Sequence, residues 1–327
     1  MSTFAYSAAK GHEMIYGLLI QLGTNMWERP GAVADHVRCD ERIWNEITAR
    51  MAERGANMLV IDLGEALFYP SHPELAVKGT WSPEKMRAEL ARLRKMGIEP
   101  IPKLNFSSSH DPWLGEYSRM LSTDTYYRVV ADLIRDTAEI FDRPRFFHLG
   151  WDEETAKGQG NYRYLAVRQG DLWWHDMLYT AKEAERQGAR AWIWSDKEWL
   201  HKDEFLAKCP RSVLQSPWYY CDGFGPKWEK RDDKKMREGP YAEPYTLCAF
   251  KELDEAGFDQ IACGSNCGYK TNFPRLVEHC LKNVSKERLL GFLHAPWCDV
   301  TGADGGKYRQ RYLDAVDQLG EAAKLAG

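Results

Sequence analysis

The amino-acid sequence predicts a (β/α)8 barrel, which is a closed ring of eight parallel strands surrounded by helices. Eight apolar runs of strand length alternate with helical patterns along the chain, and this alternation indicates βαβ units in a parallel sheet. The chain has 327 residues, an ordinary length for one such barrel. No linker or change of composition divides it, so we expect one domain over 1–327, with a lid or surface loop at 221–244. A doubly wound sheet is the alternative, but the Gly-x-Gly-x-x-Gly loop expected after its first strand is absent.

The predicted strands are short runs rich in β-branched, aromatic and other apolar residues, and polar residues follow them. The stretch from Tyr16 to Gly23 is typical, because it is a mostly apolar run that ends at a glycine. The eight strands are predicted at 16–23, 57–64, 99–106, 145–151, 190–195, 212–220, 258–266 and 289–297.

The intervening segments repeat apolar residues at helical spacing. In the first, Ile43, Trp44 and Ile47 share one face, and Gly55 ends the helix. In the second, Ser82 is the predicted N-cap and a proline occupies the first helical position. The helices are predicted at 40–54, 82–96, 123–141, 162–188 with a break near Gly170, 201–209, 245–257, 273–284 and 308–325.

Composition excludes several classes of protein. With 44% hydrophobic and 28% charged residues the chain is typical of a soluble globular protein, and a net charge of −4 disfavours a nucleic-acid surface. No apolar stretch is long enough to span a bilayer, so we expect no membrane partner. Residues 1–10 lack the pattern of a signal peptide, which predicts a cytoplasmic protein unless a signal has been removed. The eight cysteines form no Cys-x-x-Cys pair, and we expect reduced thiols rather than a metal centre or cofactor.

The residues that follow the predicted strands are rich in carboxylates, amides and aromatic rings. In a (β/α)8 barrel these strand-to-helix loops form one face, which carries the active site. Aromatic rings stack on sugar faces, while acids bind hydroxyls and transfer protons, so this face predicts a carbohydrate site. The pooled residues are Asn25, Trp27, Glu65, Lys103, Asn105, His110, Asp152, Glu153, Glu154, Trp194, Asp196, Glu198, Trp218, Tyr219, Tyr220, Asn266, Tyr269, Trp297 and Asp299.

Three consecutive acids follow the fourth predicted strand, at the end of the stretch 145–154. Buried and unpaired carboxylates are costly, so Asp152, Glu153 and Glu154 are expected at the open end of the sheet, where a ligand can meet them. The alternative is a charged loop that caps the next helix, a role that suits Glu154 in particular.

At this position the chain resembles glycoside hydrolase family 20, the β-N-acetylhexosaminidases. His148-Leu-Gly-Trp-Asp152-Glu153 is similar to the His-x-Gly-Gly-Asp-Glu motif of that family, with Trp151 in place of the second glycine. The resemblance implies a (β/α)8 barrel in which Glu153 is the general acid/base. It also implies that Asp152 orients the 2-acetamido group of the substrate, which acts as the nucleophile.

Other strand ends support the same resemblance. Trp297-Cys-Asp299 is similar to the Trp-x-Glu that lines the family's sugar subsite, although core packing is the alternative for Trp297. His110 resembles the family's loop histidine, and His148 is expected to support the acids from inside the barrel. The family's arginine after the first strand has only Arg29 as a weak candidate. The aromatic walls correspond to Trp194, Trp218 and Tyr219, and either Tyr219 or Tyr269 corresponds to the acetamido-binding tyrosine.

A separate argument from the residues favours a substrate nucleophile. A retaining glycosidase with its own nucleophile needs a second carboxylate about 5–5.5 Å from the acid, but the seventh predicted strand ends in Cys263-Gly-Ser-Asn-Cys267, without an acid. Adjacent side chains on a strand point apart, so Asp152 and Glu153 are not expected to fill both roles. Glu153 would then need a raised pKa, so that it is protonated at working pH.

The sequence therefore predicts a retaining β-N-acetylhexosaminidase that acts on an oligosaccharide or glycoconjugate. One alternative is a metal-dependent sugar isomerase or epimerase, with ligands drawn from Glu65, His110, Asp152 and Asp196. The other is a barrel that binds carbohydrate without catalysis.

Overall fold

The eight parallel strands close into a barrel in chain order, which confirms the predicted (β/α)8 fold. A computed structural model describes residues 13–24, 33–160, 162, 164–226, 228–229, 231, 247–302 and 304–326. The ring closes between the first and last strands, where Ile15 pairs with Gly291 and Leu18 with His294. The strands are β1 Ile15–Gln21, β2 Met58–Asp62, β3 Glu99–Lys103, β4 Phe146–His148, β5 Arg190–Trp194, β6 Leu214–Ser216, β7 Gln260–Gly264 and β8 Leu289–His294.

Most helices lie where apolar spacing predicts them, but the fifth begins at Lys197 and not at residue 201. Asp40 caps the first helix by accepting the Arg42 N–H at 2.9 Å, and Gly55 ends it in the left-handed conformation. Ser82 caps the second by accepting the Lys85 N–H at 3.2 Å. In the described part of the chain the α-helices are α1 Glu41–Arg54, α2 Pro83–Lys95, α3 Asp124–Ile140, α4 Gly170–Arg186, α5 Lys197–Lys208, α6 Leu247–Glu255, α7 Asn272–Asn283 and α8 Lys307–Ala326.

The fourth helix differs from its prediction, because it begins at Gly170 and not at residue 162. Residues 164–169 form a loop instead, and this loop brings Arg168 to the acids after β4. The predicted strands also extend too far, since β4 ends at His148. The predicted lid or surface loop at 221–244 falls largely on residues outside the described part of the chain.

The barrel has two apolar layers, as strand alternation requires. Leu19, Val60 and Ile101 belong to the cluster inside the ring. Leu18 and Leu59 belong to the larger cluster between the strands and the helices. This packing holds the strands rigidly, so that the loops at their carboxyl ends start from fixed points. Among the described residues, the structure contains no helix with the length and hydropathy needed to cross a membrane.

Candidate active site

The loop after β4 departs from strand geometry immediately, and this departure shapes the site. Gly150, Trp151 and Glu153 have φ of 73°, 72° and 56°, in the left-handed region. For a residue other than glycine this conformation costs on the order of 1–3 kcal/mol and is typical of functional sites. A Cβ at Gly150 would lie 2.0 Å from Asn105 Oδ1, so only glycine fits there.

The turn directs two of the three acids at one imidazole. His110 Nε2 lies 3.1 Å from Glu153 Oε2 and 3.4 Å from Asp152 Oδ2. The three side chains are between 10% and 14% exposed, so they are shielded but still reachable. Their ligand atoms lie within 4.8 Å of one another. The structure thus brings together both predicted catalytic residues and the predicted histidine of the β3 loop.

The two carboxylates control the charge of His110. Burial lowers the pKa of this imidazole, but Asp152 and Glu153 more than offset that effect and raise the pKa to about 9. His110 is therefore an imidazolium at neutral pH, and it donates its proton toward Glu153.

Two further side chains fix the acids from either side. Asn105 donates its Nδ2–H to Asp152 Oδ1 at 2.7 Å. Asp196, which follows β5, accepts the backbone N–H of Glu153 at 2.9 Å. Burial, reinforced by the charge of Asp152, raises the pKa of Asp196 to about 7. Asp196 therefore adds a third titratable carboxyl group to the site.

The third acid of the run points into the protein. The side chain of Glu154 is 2% exposed and forms an ion pair with Arg168, at 2.7 Å. It also accepts the Ser108 N–H at 3.0 Å, in the loop that leads to His110. Glu154 therefore links two loops and does not cap the next helix.

Aromatic rings continue from the acids around the open end of the barrel. The backbone N–H of Trp194 donates to the Gly150 carbonyl in the β4 loop, at 3.0 Å. Its ring lies 5.8 Å from that of Trp297, which lies 6.2 Å from that of Tyr220. Tyr220 stacks on Trp218 at 4.8 Å with an interplanar angle of 18°. These four rings form what we call the aromatic wall.

Two predicted binding residues lie elsewhere. Tyr219 is 1% exposed and packs with the outer core, where its hydroxyl donates to the Gly223 carbonyl. Strand alternation points Tyr220 inward instead, so Tyr220 occupies the place expected for Tyr219. His148 is fully buried between Trp192 and Trp194, with ring centroids 4.8 and 4.5 Å away. It has no exposed surface to offer a ligand.

Asp299 follows β8 as predicted and pairs with an arginine that sequence reasoning missed. Arg38 Nη1 lies 2.6 Å from Asp299 Oδ2, and the Asp299 side chain is 4% exposed. Arg38 belongs to the connection after β1, like Arg29. It lies near the start of α1 and far in sequence from the end of the strand, so its position gives no sign of this role. The predicted residues Asn25, Trp27 and Arg29 lie outside the described residues.

Other strand-end residues have structural partners. Glu65 is 1% exposed and accepts the Thr24 N–H at 2.8 Å, so it ties the β2 loop to β1. Lys103 pairs with Asp62 at 2.5 Å. Tyr269 is 51% exposed in the loop after β7. In the part of the chain that the structure describes, Glu65 does not belong to the cluster of possible metal ligands that contains His110 and Asp152.

Asp152 and Glu153 are not separated in the way that the sequence predicts. Alternation along a strand was expected to separate Asp152 from Glu153, yet both contact the same nitrogen of His110. The reason is that neither residue is in a strand, since β4 ends at His148 and Glu153 has a left-handed backbone. As the sequence predicts, no acid follows directly after β7.

Comparison with solved structures finds the same barrel in three bacterial enzymes. The match to a GH20 exo-β-N-acetylglucosaminidase from Vibrio harveyi has a TM-score of 0.61 at 14% identity and covers 94% of this chain and 54% of that one. A β-N-acetylhexosaminidase from Bacteroides fragilis matches with a TM-score of 0.61 at 14% identity, over 94% and 66%. The GH20 β-N-acetylhexosaminidase from Streptomyces coelicolor A3(2) matches with a TM-score of 0.64 at 13% identity, over 94% and 65%.

These matches show that the chain has the fold of the glycoside hydrolase family 20 barrel, which confirms the resemblance at the level of fold. The chain spans between about half and two thirds of the length of the three enzymes. No protein-family model and no curated protein sequence matches it.

Proposed function

We propose that this protein is a retaining β-N-acetylhexosaminidase that acts on an oligosaccharide or glycoconjugate. The observation that carries the proposal is the contact of one histidine, His110, with two adjacent acids at the carboxyl end of a barrel with the family 20 fold. The aromatic wall beside them supports a sugar substrate, because its two partly exposed rings, Trp297 and Tyr220, can stack on the apolar faces of sugars, while the Trp194 and Trp218 rings are buried.

Glu153 is the proposed general acid. One proton lies between His110 and Glu153, whose side chains are 3.1 Å apart, and without a bound sugar it belongs to His110. A bound sugar displaces water that stabilises the charged pair, and this favours the neutral pair with the proton on Glu153. Glu153 can then protonate the glycosidic oxygen, and afterwards accept a proton from the attacking water.

Asp152 is the proposed partner of the substrate's acetamido group. Its carboxylate accepts one N–H from Asn105 and lies beside the His110 imidazolium, and these two contacts hold it in place. A carboxylate held there stabilises the oxazolinium ion that forms when the acetamido oxygen attacks the anomeric carbon. The lack of an acid after β7 supports a nucleophile that comes from the substrate.

The test is a panel of aryl N-acetylglucosaminides, N-acetylgalactosaminides and plain glucosides, with a thiazoline inhibitor. We expect hydrolysis of the N-acetyl substrates and inhibition by the thiazoline, which mimics the cyclised intermediate. Cleavage of plain glucosides without thiazoline inhibition would exclude participation by the acetamido group.

A matched variant tests the role of the acid. Glu153→Gln keeps the length of the side chain and its backbone contacts but has no transferable proton, so kcat should fall by about 10²–10⁴-fold on a substrate with a poor leaving group. On an aryl substrate with a good leaving group the loss should be smaller. An equal loss on both substrates would contradict acid catalysis by Glu153.

A metal-dependent sugar isomerase is the second candidate, because the ligand atoms of His110, Asp152 and Glu153 lie close enough to hold one divalent ion. Dialysis against EDTA separates the two candidates. Isomerase activity should disappear and return with added metal, whereas glycoside hydrolysis should be unaffected.

A further inference from the structure

Glu154 sits at a junction of three segments around the site. Its Oε1 accepts the backbone N–H of Arg168 at 2.7 Å and the Nε–H of the same residue at 2.9 Å. Its Oε2 accepts an Nη2–H of Arg168 at 2.7 Å and the Ser108 N–H at 3.0 Å. Four N–H groups thus fix one carboxylate, which directly follows the proposed acid Glu153 in the chain.

Arg168 extends this junction to the barrel and to its helices. Its Nη2 also donates to the Phe106 carbonyl at 2.6 Å, just past the end of β3. Its Nη1 lies 3.2 Å from Asp176 Oδ2 in α4 and 3.3 Å from the Tyr126 hydroxyl in α3. The arginine is 3% exposed, so these bonds are formed away from bulk water, where each is stronger.

Trp151 joins the same cluster from the β4 loop. The Arg168 guanidinium lies 4.3 Å from the centroid of the indole, and the indole N–H donates to Thr180 Oγ1 at 2.9 Å. Trp151 stands where the motif has its second glycine, and its φ of 72° lies in the left-handed region that favours glycine. Its side chain therefore holds a strained turn in place through contacts that a glycine would lack.

We propose that Glu154 and Arg168 are positioning residues that set the distance between the loop carrying His110 and the loop carrying Glu153. Ser108 lies two residues before His110, and Glu154 directly follows Glu153, so the Glu154–Ser108 bond fixes both loops close to the reacting groups. The contact between His110 and Glu153 depends on that alignment. As a statement about catalysis, the inference rests on the proposed glycosidase activity.

The test compares Glu154→Gln with a matched control at the other end of the barrel. Glu154→Gln keeps the size of the side chain but places an amide NH2 against one of the N–H donors. The control is Asp259→Asn, because Asp259 pairs with Arg190 at 2.8 Å, at the start of β5 and far from the acids in the fold. Both variants weaken a partly or fully buried ion pair with arginine.

The first readout does not depend on activity. An NMR titration follows the His110 ring, which is assigned by its loss in His110→Gln. In Glu154→Gln the pKa of His110 should fall from about 9 toward its ordinary value, because the carboxylates are no longer held at their distances. In Asp259→Asn it should stay where the wild type has it.

The second readout is kinetic. In Glu154→Gln kcat should fall by about 10- to 100-fold, with KM unchanged, because misplacement of a catalytic group by up to an ångström has effects of that size. Asp259→Asn should lose stability without losing kcat. An unchanged His110 titration and an unchanged kcat in Glu154→Gln would overturn the inference.

A second variant covers the case in which Glu154→Gln does not fold, and the titration separates the positioning role from the proposed activity. If Glu154→Gln does not fold, the double variant Glu154→Met, Arg168→Met replaces the buried pair by apolar side chains of similar length, an exchange that stability often tolerates. It should show the same change in the His110 titration. A wild type that hydrolyses no glycoside would count against the proposed function alone, because the titration still decides the positioning role.

Discussion

The contacts of His110 predict how the stability of the protein depends on pH. The pKa of this residue is raised from 6.5 to about 9 in the folded protein, where Asp152 and Glu153 lie 3.4 and 3.1 Å from its Nε2. At about 1.36 kcal/mol per pKa unit, the difference corresponds to about 3 kcal/mol of folding free energy. Because the folded protein holds the proton more tightly, this contribution is complete below pH 6.5 and is lost as the pH rises through 9.

The measurement is urea denaturation of the wild type and of His110→Gln, at about pH 6 and about pH 9.5. Between these pH values the wild type should lose about 3 kcal/mol more than His110→Gln, because the variant lacks the proton that the folded wild type holds more tightly. His36→Gln is the control, because the His36 side chain is 51% exposed, and it should follow the wild type. Equal losses in the wild type and in His110→Gln would refute the charge assignment of the site.

Three further predictions concern the acids and their loop. Gly150→Ala should lower the free energy of unfolding, measured by urea denaturation, by roughly 2–4 kcal/mol, because its Cβ would meet Asn105 Oδ1. The control is Gly188→Ala, which has a φ of 86° but nothing within 4 Å of the new Cβ. It should lose only about 1–2 kcal/mol. From about pH 5 to about pH 8 the wild type should lose more free energy of unfolding than Asp196→Asn. Burial raises the pKa of Asp196, so its ionisation in this range destabilises the folded wild type. Equal losses in the two proteins would contradict this. In Glu153→Ala, which vacates the place of the carboxylate, an added small carboxylate such as formate should restore part of the lost turnover, and absence of rescue would argue that Glu153 acts other than through proton transfer.

The barrel follows from sequence patterns that depend on local physics. Alternating strand and helix periods predict all eight strands near their observed places, because each period records which face of an element is buried. Ser82 locates a helix start for the same local reason, since its side-chain oxygen satisfies a free N–H of the first turn.

The partners within the site depend on contacts between distant parts of the chain, and the sequence contains no local signal for them. Arg38 follows β1 and Asp299 follows β8, so they pair only because the first and last strands are neighbours in the closed barrel. Local sequence spacing cannot predict a contact between residues so far apart in the chain. Glu154 appears equivalent to its two neighbours in sequence, and only its bonds to Arg168 separate its role from theirs. Tyr219 and Tyr220 could have been told apart, because alternation continues past the end of β6 and places Trp218 and Tyr220 on one side.

The turn after β4 shows why a motif can succeed where strand periodicity fails. Asp152 and Glu153 reach one imidazole only because Gly150, Trp151 and Glu153 leave the strand with positive φ. A Gly-Gly pair in the motif would adopt such angles freely, whereas this chain keeps one glycine and stabilises the other position through packing of the indole. This chain therefore forms the turn with tryptophan in the position where the motif has its second glycine. Trp151→Gly should consequently relax the strain yet lose the packing against Arg168, so it should lower stability while leaving the angles of the turn accessible.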